Sequence, residues 1–359
     1  MTSVDSYITL GRSGLRVSPL GLGTMTFGDD HGWGSSVETS EAILTDYLER
    51  GGNLIDTANS YTNGHSEKII GDYFAARPGL RDRVVLSTKF LTNLFPGDPN
   101  GGGGGRKGII GQLNESLRRL QTDYVDLYWL HGWDQGAPIE ETMSTLNDLV
   151  TAGKVRYIAL SDVPAWVATQ AQMIAAFRGW APVTALQLEY SLLERTPEGE
   201  LLPMAQALGM GVVPWSPLRG GKLTGKYTRD GGVDGDRAAV MAAVFGEPGE
   251  QEWPIIDTVA QIAKDLGVSS AEVALAWVRG RPGISSTLIG ARTIDQLHTN
   301  LASLDVTLTA EQRATLDEVS TPTLNFPARF TTGISPAVAF GGMTVDGTTY
   351  PGMNQGGKY

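Results

Sequence analysis

The sequence predicts an α/β barrel: eight parallel strands alternating with helices, entered by a β-hairpin and extended by long loops. Three observations predict it. Short apolar runs, suited to strands buried on both faces, are followed eight times in succession by amphipathic helical runs. A chain of 359 residues accommodates such a barrel, typically ~250 residues before insertions. No shift in composition along it marks a boundary between domains.

The elements follow in order. YITLGRSGLRVS, from Tyr7 to Ser18, reads as two short strands around a glycine-containing turn. LGLGTM then leads to the helical VETSEAILTDYLERG, NLIDTA to HSEKIIGDYFAAR, and VVLSTK to RKGIIGQLNESLRRL. VDLYWLH precedes PIEETMSTLNDLVTAG, VRYIALS precedes PAWVATQAQMIAAF, and VTALQL precedes GELLPMAQALG. GVVPWS opens a long loop with later helices, and STLIGA closes the series before IDQLHTNLASL. Gly209 and Gly267 stand just past helical runs, where a left-handed cap favours glycine. Ser269 with Glu272, and Thr309 with Gln312, read as capping boxes that open further helices.

These elements give one domain over 1–359, with the barrel core at about 7–320. Three segments exceed plain connections. Residues 91–106, with glycines from Gly101 to Gly105, read as a flexible excursion bordering the barrel mouth. Residues 228–253 are rich in Gly and Asp, and the 321–359 tail carries Phe326, Phe330, Phe340 and Tyr350. The tail either folds over the mouth or hangs loose.

Composition narrows the function. Thirty-nine Asp and Glu against 28 Lys and Arg give a net charge of -11. Such a surface repels phosphates, which argues against nucleic acid or an anionic membrane as the main partner. The absence of cysteine excludes disulfides, thiol catalysis and cysteine-held metals, so no metal site is expected. No apolar stretch approaches the ~20 residues of a membrane span, and the first residues lack a secretory pattern. The expectation is a soluble, cytoplasmic protein.

Four polar residues carry the chemistry: Asp56, Tyr61, Lys89 and His131 lie at or just after the ends of strand-like runs. Barrel strands deliver such ends to one face, where active sites form. An unperturbed tyrosine, with a pKa of about 10, is a poor acid at neutral pH. An ammonium at Lys89 favours phenolate, which predicts a lowered Tyr61 pKa. Asp56 would hold Lys89 charged, and His131 would hydrogen-bond a substrate oxygen. The set suits protonation of an oxyanion as hydride reaches carbon. Taken singly, the Asp and Lys equally fit a structural ion pair, and the His equally fits packing beside Trp129 and Trp133.

The sequence resembles the aldo-keto reductase family, in its aryl-alcohol-dehydrogenase-like and potassium-channel β-subunit-like branch, over roughly residues 7–320. GLGTMTFG, NLIDTANSY, LSTK, YVDLYWLH, ALSD, LQLEYSLLER, VVPWSPLRGGKLTGKY and LIGARTIDQLHTNL carry the resemblance in family order. It implies a TIM barrel in which Tyr61 is the general acid, Lys89 and Asp56 its tuning pair, and His131 the substrate-orienting residue. It also implies NADPH lying extended over the strand ends, which suits a chain with no G-x-G-x-x-G opening a helix after a strand.

Carried over by resemblance, Gly23, Thr24 and Met25 line the nicotinamide with Asp56 nearby. Ser161 and Gln187 bond its carboxamide, and Tyr190 belongs to the surrounding structure. Trp215 stacks near the ring, while Ser216, Pro217, Leu218, Gly220 and Gly221 form the pyrophosphate loop. Lys226 reaches a phosphate, and Gly290 with Ala291 begins the last phosphate turn. Arg292 pairs with the 2'-phosphate, whose geometry a guanidinium matches. Gln296 and Asn300, four apart on one helix face, read adenine. Bland alternatives stand beside these: Thr293-x-x-Gln296 fits a helix cap, Trp215 fits core, and Gln187 fits a buried structural amide. Asp162 stands where many relatives carry Asn, and a carboxylate cannot donate to the carboxamide oxygen.

Two functions fit. One is NADPH-dependent reduction of an aldehyde or ketone to the alcohol, with Trp33, Phe90 and Trp133 hinting at an aromatic or bulky apolar substrate. The other is a cofactor-binding regulatory protein like the channel β subunits. His131 leans toward the enzyme. The sequence leaves substrate identity and oligomeric state open.

Overall fold

The computed structural model describes residues 3–229 and 236–352. Ile8–Thr9 (β1) and Arg16–Val17 (β2) pair antiparallel as the predicted hairpin. Leu10 and Val17, both fully buried, pack with Leu54, Val85 and Leu127 at the N-terminal end of the barrel. Burying each contributes about 1.5–3 kcal/mol, so the hairpin acts as a plug. The Arg12 amide fastens it to the Gly209 carbonyl at 2.8 Å.

The eight barrel strands are β3 (Leu20–Gly23), β4 (Leu54–Asp56), β5 (Val85–Phe90), β6 (Val125–Leu130), β7 (Val155–Ser161), β8 (Val183–Glu189), β9 (Gly211–Trp215) and β10 (Thr287–Gly290). They run parallel in the order β10-β3-β4-β5-β6-β7-β8-β9. One parallel bridge, Val212 to Ile284, closes the ring between β9 and β10. There Val212 N–H donates to Gly283 O at 3.2 Å and Ser285 N–H to Val212 O at 2.9 Å.

Helices α1 (Val37–Glu49), α2 (His65–Ala75), α3 (Arg106–Leu120), α4 (Ile139–Thr151), α5 (Ala165–Arg178) and α6 (Leu201–Leu208) connect successive strands from β3 to β9. The longest connection, β9 to β10, holds α7 (Asp236–Phe245), α8 (Trp253–Leu266) and α9 (Ser270–Arg279). After β10 come α10 (Ile294–Ala302) and α11 (Ala310–Val319), then two short tail helices, α12 (Ala328–Gly333) and α13 (Ser335–Phe340). A terminal hairpin, β11 (Thr344–Val345) and β12 (Thr348–Thr349), follows. Both predicted capping boxes form, at Ser269 with Glu272 and at Thr309 with Gln312. No described helix is long and apolar enough to cross a membrane.

Strand side chains alternate between two cores, as a period of two requires. Ile55, Leu86, Tyr128, Leu160, Leu186 and Ile289 join the core shared with the helices. Leu54, Val85, Leu127, Trp129, Ala159, Ala185, Val213 and Leu288 fill the barrel. Toward the strand ends the inward positions turn polar. Leu54 gives way to Asp56, Val85 to Ser87 and Lys89, Ala159 to Ser161, and Ala185 to Gln187. A packed lower barrel thus supports a polar floor at the mouth.

Two expectations are corrected by packing. The Gly101–Gly105 run is a hydrogen-bonded turn rather than a loose excursion. Gly103 N–H donates to Leu91 O at 2.7 Å, Gly104 N–H to Asp134 Oδ2 at 2.7 Å, and Thr142 Oγ1 to Gly104 O at 2.7 Å. A Cβ on Gly102 would lie 2.6 Å from the Asn93 backbone, so the glycines serve close approach. Phe90 faces outward, one residue past inward-facing Lys89. It is fully buried against Tyr128, with ring centroids 4.7 Å apart, so it lines no pocket. In the tail, Leu324 and Ala328 approach Gly199, while Phe326 stays exposed. Within the 228–253 segment, 230–235 lie outside the described residues.

Candidate active site

The β4–β5 register pairs Asp56 with Ser87, so Lys89 lies one inward step further along β5. Its side chain spans that step. Both Lys89 and Asp56 are buried, and Lys89 Nζ forms an ion pair with Asp56 Oδ2. The same ammonium donates to Thr57 O at 2.9 Å and to Tyr61 Oη at 3.1 Å. Asp56 Oδ1 accepts from Ser87 Oγ at 2.6 Å and from Gln187 Nε2 at 3.2 Å. Both carboxylate oxygens of Asp56 are thus hydrogen-bonded, as burial of a charge demands.

Tyr61 opens a tight turn, Tyr61–Gly64, in which Thr62 and Asn63 are left-handed at φ 49° and 54°. That conformation is held from two sides. Thr62 Oγ1 donates to Phe27 O at 2.7 Å. Gly64 lies against Arg119, where a Cβ would come within 2.8 Å of Nε, and Arg119 is paired with buried Glu67 at 2.7 Å. His131 follows β6 directly, and its amide donates to Phe90 O at 2.9 Å. Its ring meets Tyr61 edge-on, with centroids 5.9 Å apart. The structure therefore brings all four predicted residues to one mouth.

The electrostatics correct one expectation. Burial pushes Tyr61 upward from its ordinary value; Lys89 pulls it down, but not enough to reverse the shift. Lys89 is disfavoured as a cation by burial, yet Asp56 and Tyr61 together hold it charged and shift it upward. His131 is pushed down to about 3, by burial first and the Lys89 charge second. It is a neutral hydrogen-bonding group at pH 7, not an acid.

A pH dependence follows. Between about 3 and the unfolded value of about 6.5, the unfolded chain binds a proton that folded His131 refuses. Stability is thus full above that window and falls as pH drops through it. His131→Asn should therefore lose less melting temperature than the parent between pH 7 and 5. Equal losses in a thermal scan would assign the acid sensitivity elsewhere.

The other predicted positions surround the same mouth. Gly23 ends β3; Thr24 is buried, with its amide bonded to Asp56 O at 2.9 Å, and Met25 is exposed. Ser161 and Gln187 stand opposite each other on β7 and β8. Gln187 already gives one amide hydrogen to Asp56, and Ser161 Oγ donates to Asp162 Oδ2 at 3.1 Å. Asp162 has φ 49°, a left-handed position that Asp tolerates. Its Oδ1 accepts from Trp215 Nε1 at 3.0 Å. Asp162 is open to solvent on its mouth side but walled by protein, and burial raises its pKa against the pull of Trp215 and Ser161. Asp162→Asn keeps an acceptor for Trp215 and sheds the poorly solvated charge. Unchanged or higher thermal stability is expected, and a drop of several degrees would show that the charge itself is required.

Tyr190 lies in the core, stacked on Trp277 at 5.6 Å with its hydroxyl on Glu198 at 2.5 Å. Ser216, Pro217, Leu218, Gly220 and Gly221 form a compact turn after β9. Its left-handed residues include Ser216 (φ 50°) and Gly221 (φ 107°), and Gly220 N–H donates to Ser216 Oγ at 3.2 Å. Lys226 is exposed nearby in sequence. Gly290, exposed, ends β10, and half-buried Arg292 follows it, with Ala291 buried between them. Arg292 Nη1 reaches Trp33 O at 3.4 Å. Gln296 Oε1 accepts from Arg292 N–H at 2.9 Å, and Asn300 Nδ2 donates to Gly290 O at 3.0 Å. Both amides thus brace the Gly290–Arg292 turn, and Thr293 does cap α10.

Sequence reading missed three groups here. Ser87 is one. Lys222, buried and paired with Glu252 at 2.8 Å, also donates to Phe245 O at 3.2 Å and ties the far end of α7 to the Ser216–Gly221 turn. Arg219 bonds Glu189 at the end of β8. Only the inward alternation of LSTK signalled Ser87; the partners of Lys222 and Arg219 are remote in sequence.

An eight-stranded parallel barrel thus carries, at its strand ends, a buried Asp–Lys pair reaching a tyrosine hydroxyl beside a neutral histidine. The chain belongs to the aldo/keto reductase family, whose profile matches residues 19–321. It is 38% identical over 322 residues to an uncharacterized oxidoreductase of Bacillus subtilis, covering 87% of this chain and 95% of that one. A putative aryl-alcohol dehydrogenase of Saccharomyces cerevisiae is 36% identical over 336 residues, covering 91% and 89%. An aryl-alcohol dehydrogenase [NADP(+)] of Phanerodontia chrysosporium is 32% identical over 329 residues, covering 88% and 85%. Family and relatives alike support an oxidoreductase.

Proposed function

We propose that this protein is an NADPH-dependent carbonyl reductase that converts an aldehyde or ketone, with aromatic carbonyls favoured, to the alcohol. The observation that carries the reading is Lys89 Nζ placed between Asp56 and the Tyr61 hydroxyl, with His131 alongside. On this reading the chain works as one domain over 1–359, its core at about 7–320. A bound NADPH supplies the hydride that reaches the carbonyl carbon. His131, neutral, orients the carbonyl oxygen. The Tyr61 O–H bond breaks as that oxygen takes the proton, and the Lys89 ammonium stabilises the phenolate left behind.

The donor set fits a phosphorylated dinucleotide. The exposed Lys226 ammonium, five residues past the Ser216–Gly221 turn, and the Arg292 guanidinium just after β10 offer positive charge beyond the strand ends. Trp133 and Trp166, edge to face at 5.1 Å, give an aromatic wall near His131, and the dehydrogenases above bear "aryl-alcohol" in their names. Fluorescence titration with NADPH and NADH, then addition of 4-nitrobenzaldehyde, tests the reading. Binding with oxidation on adding aldehyde supports it, whereas no binding of either nucleotide removes it. Arg292→Ala should weaken NADPH by about 10–100-fold, the loss of one charge-assisted contact of ~1.5–3 kcal/mol, and weaken NADH little. Equal losses would make Arg292 a brace for its turn.

A further inference from the structure

We propose that Ser87 is a positioning residue of the proton-donating centre: its hydroxyl fixes the Asp56 carboxylate that holds Lys89 against Tyr61. The inference rests on the reductase reading for its catalytic consequence, although the geometry stands without it.

Ser87 is fully buried, and the strand register sets it directly opposite Asp56. Its neighbours leave it no alternative direction. Thr88 points the other way, to Glu67 Oε1 at 2.5 Å, and Lys89 points inward again. A serine hydroxyl has one proton. At 2.6 Å from Asp56 Oδ1 and 3.3 Å from Ile55 O, that proton belongs to the carboxylate, as a charge-assisted bond. Asp56 Oδ1 has a second donor, Gln187 Nε2, at the longer distance of 3.2 Å. Gln187 is also the residue proposed to meet the nicotinamide carboxamide. Any turn of its amide toward that group leaves Ser87 as the donor that keeps Oδ1 in place, and with it the aim of Oδ2 at Lys89.

The bond also shares the negative charge of Asp56. Without it the carboxylate acts more strongly on the ammonium and on Tyr61, which raises the proton affinity of the phenol. A weaker acid gives up its proton more slowly, so reduction slows. Its activity also persists to higher pH, because Tyr61 stays protonated longer.

The test compares Ser87→Ala and Ser87→Thr with the parent protein. In Ser87→Ala, kcat for 4-nitrobenzaldehyde should fall about tenfold, the basic limb of the pH profile should move upward, and NADPH affinity should stay unchanged. Ser87→Thr, which keeps the hydroxyl, should restore both rate and limb. A readout free of cofactor is the 15Nζ resonance of Lys89 in the ligand-free protein. It should shift and broaden in Ser87→Ala and return in Ser87→Thr. A parent-like resonance and pH profile in Ser87→Ala would overturn the proposal. So would a rate loss that comes only with lost thermal stability and that Thr fails to restore. A parent protein that binds no NADPH would sink the reductase reading alone, since the Lys89 resonance still decides whether Ser87 positions the pair.

Discussion

Tyr61→Phe should lower carbonyl turnover by about 10²–10⁴-fold, the range for loss of a general acid, with NADPH affinity unchanged. The substitution is clean because the ring keeps its surroundings. Its edge contact with His131 remains, as does the Lys89 ammonium 4.7 Å from its centroid. Lys89 loses one acceptor at 3.1 Å but keeps Asp56 and Thr57 O. The buried charge stays compensated, so the fold has no reason to relax. Single-turnover reduction of 4-nitrobenzaldehyde, read at nicotinamide absorbance, measures the effect. A near-parental rate would remove Tyr61 as the proton source and turn attention to water held by His131.

Asp56→Ala should destabilise the protein by about 3–5 kcal/mol, because it strands a buried ammonium without its counter-charge. It also strips Ser87 and Gln187 of their shared acceptor. In the parent, Lys89 is shifted upward, so the stability it contributes is fully present below the unfolded value of about 10.4 and lost as pH rises through the higher folded value. In Asp56→Ala the order reverses: Lys89 sheds its proton in the fold, and stability should improve as pH rises toward 10. Urea unfolding at pH 7 and pH 9.5 separates the cases. The double variant Asp56→Ala/Lys89→Met should recover much of the loss. A single variant that unfolds at the parental urea concentration would mean that the pair carries no charge.

Much of the barrel was legible because strand boundaries are set locally. Runs such as VVLSTK and VRYIALS are short, β-branched and bounded by turns, and the structure places strands at Val85–Phe90 and Val155–Ser161. The convergence of Asp56, Tyr61, Lys89 and His131 was legible for a related reason: parallel register turns distance along the chain into proximity at one end. Tyr61's acidity was not legible, since it depends on how much solvent the fold removes, and here burial outweighs the ammonium. Phe90 was misread by ignoring that the residue after an inward lysine faces outward. The glycine run was misread because composition cannot distinguish freedom from close approach; Gly102 is glycine for the Asn93 backbone. The amides of Gln296 and Asn300 fit both adenine and the turn they brace, and sequence spacing is the same for either.

The bridge at Val212 and Ile284 makes the barrel a ring with a clasp. Other neighbouring strands are joined by ladders of two or more residue pairs, with one register shift between β7 and β8 at Ile158/Ala159. This join rests on a single bridge with two backbone bonds and sits beside the 216–286 excursion. Compliance is therefore unevenly distributed around the circumference. Asp56, Lys89 and His131 stand on or just after β4, β5 and β6, away from this join, whereas the Ser216–Gly221 turn stands at it.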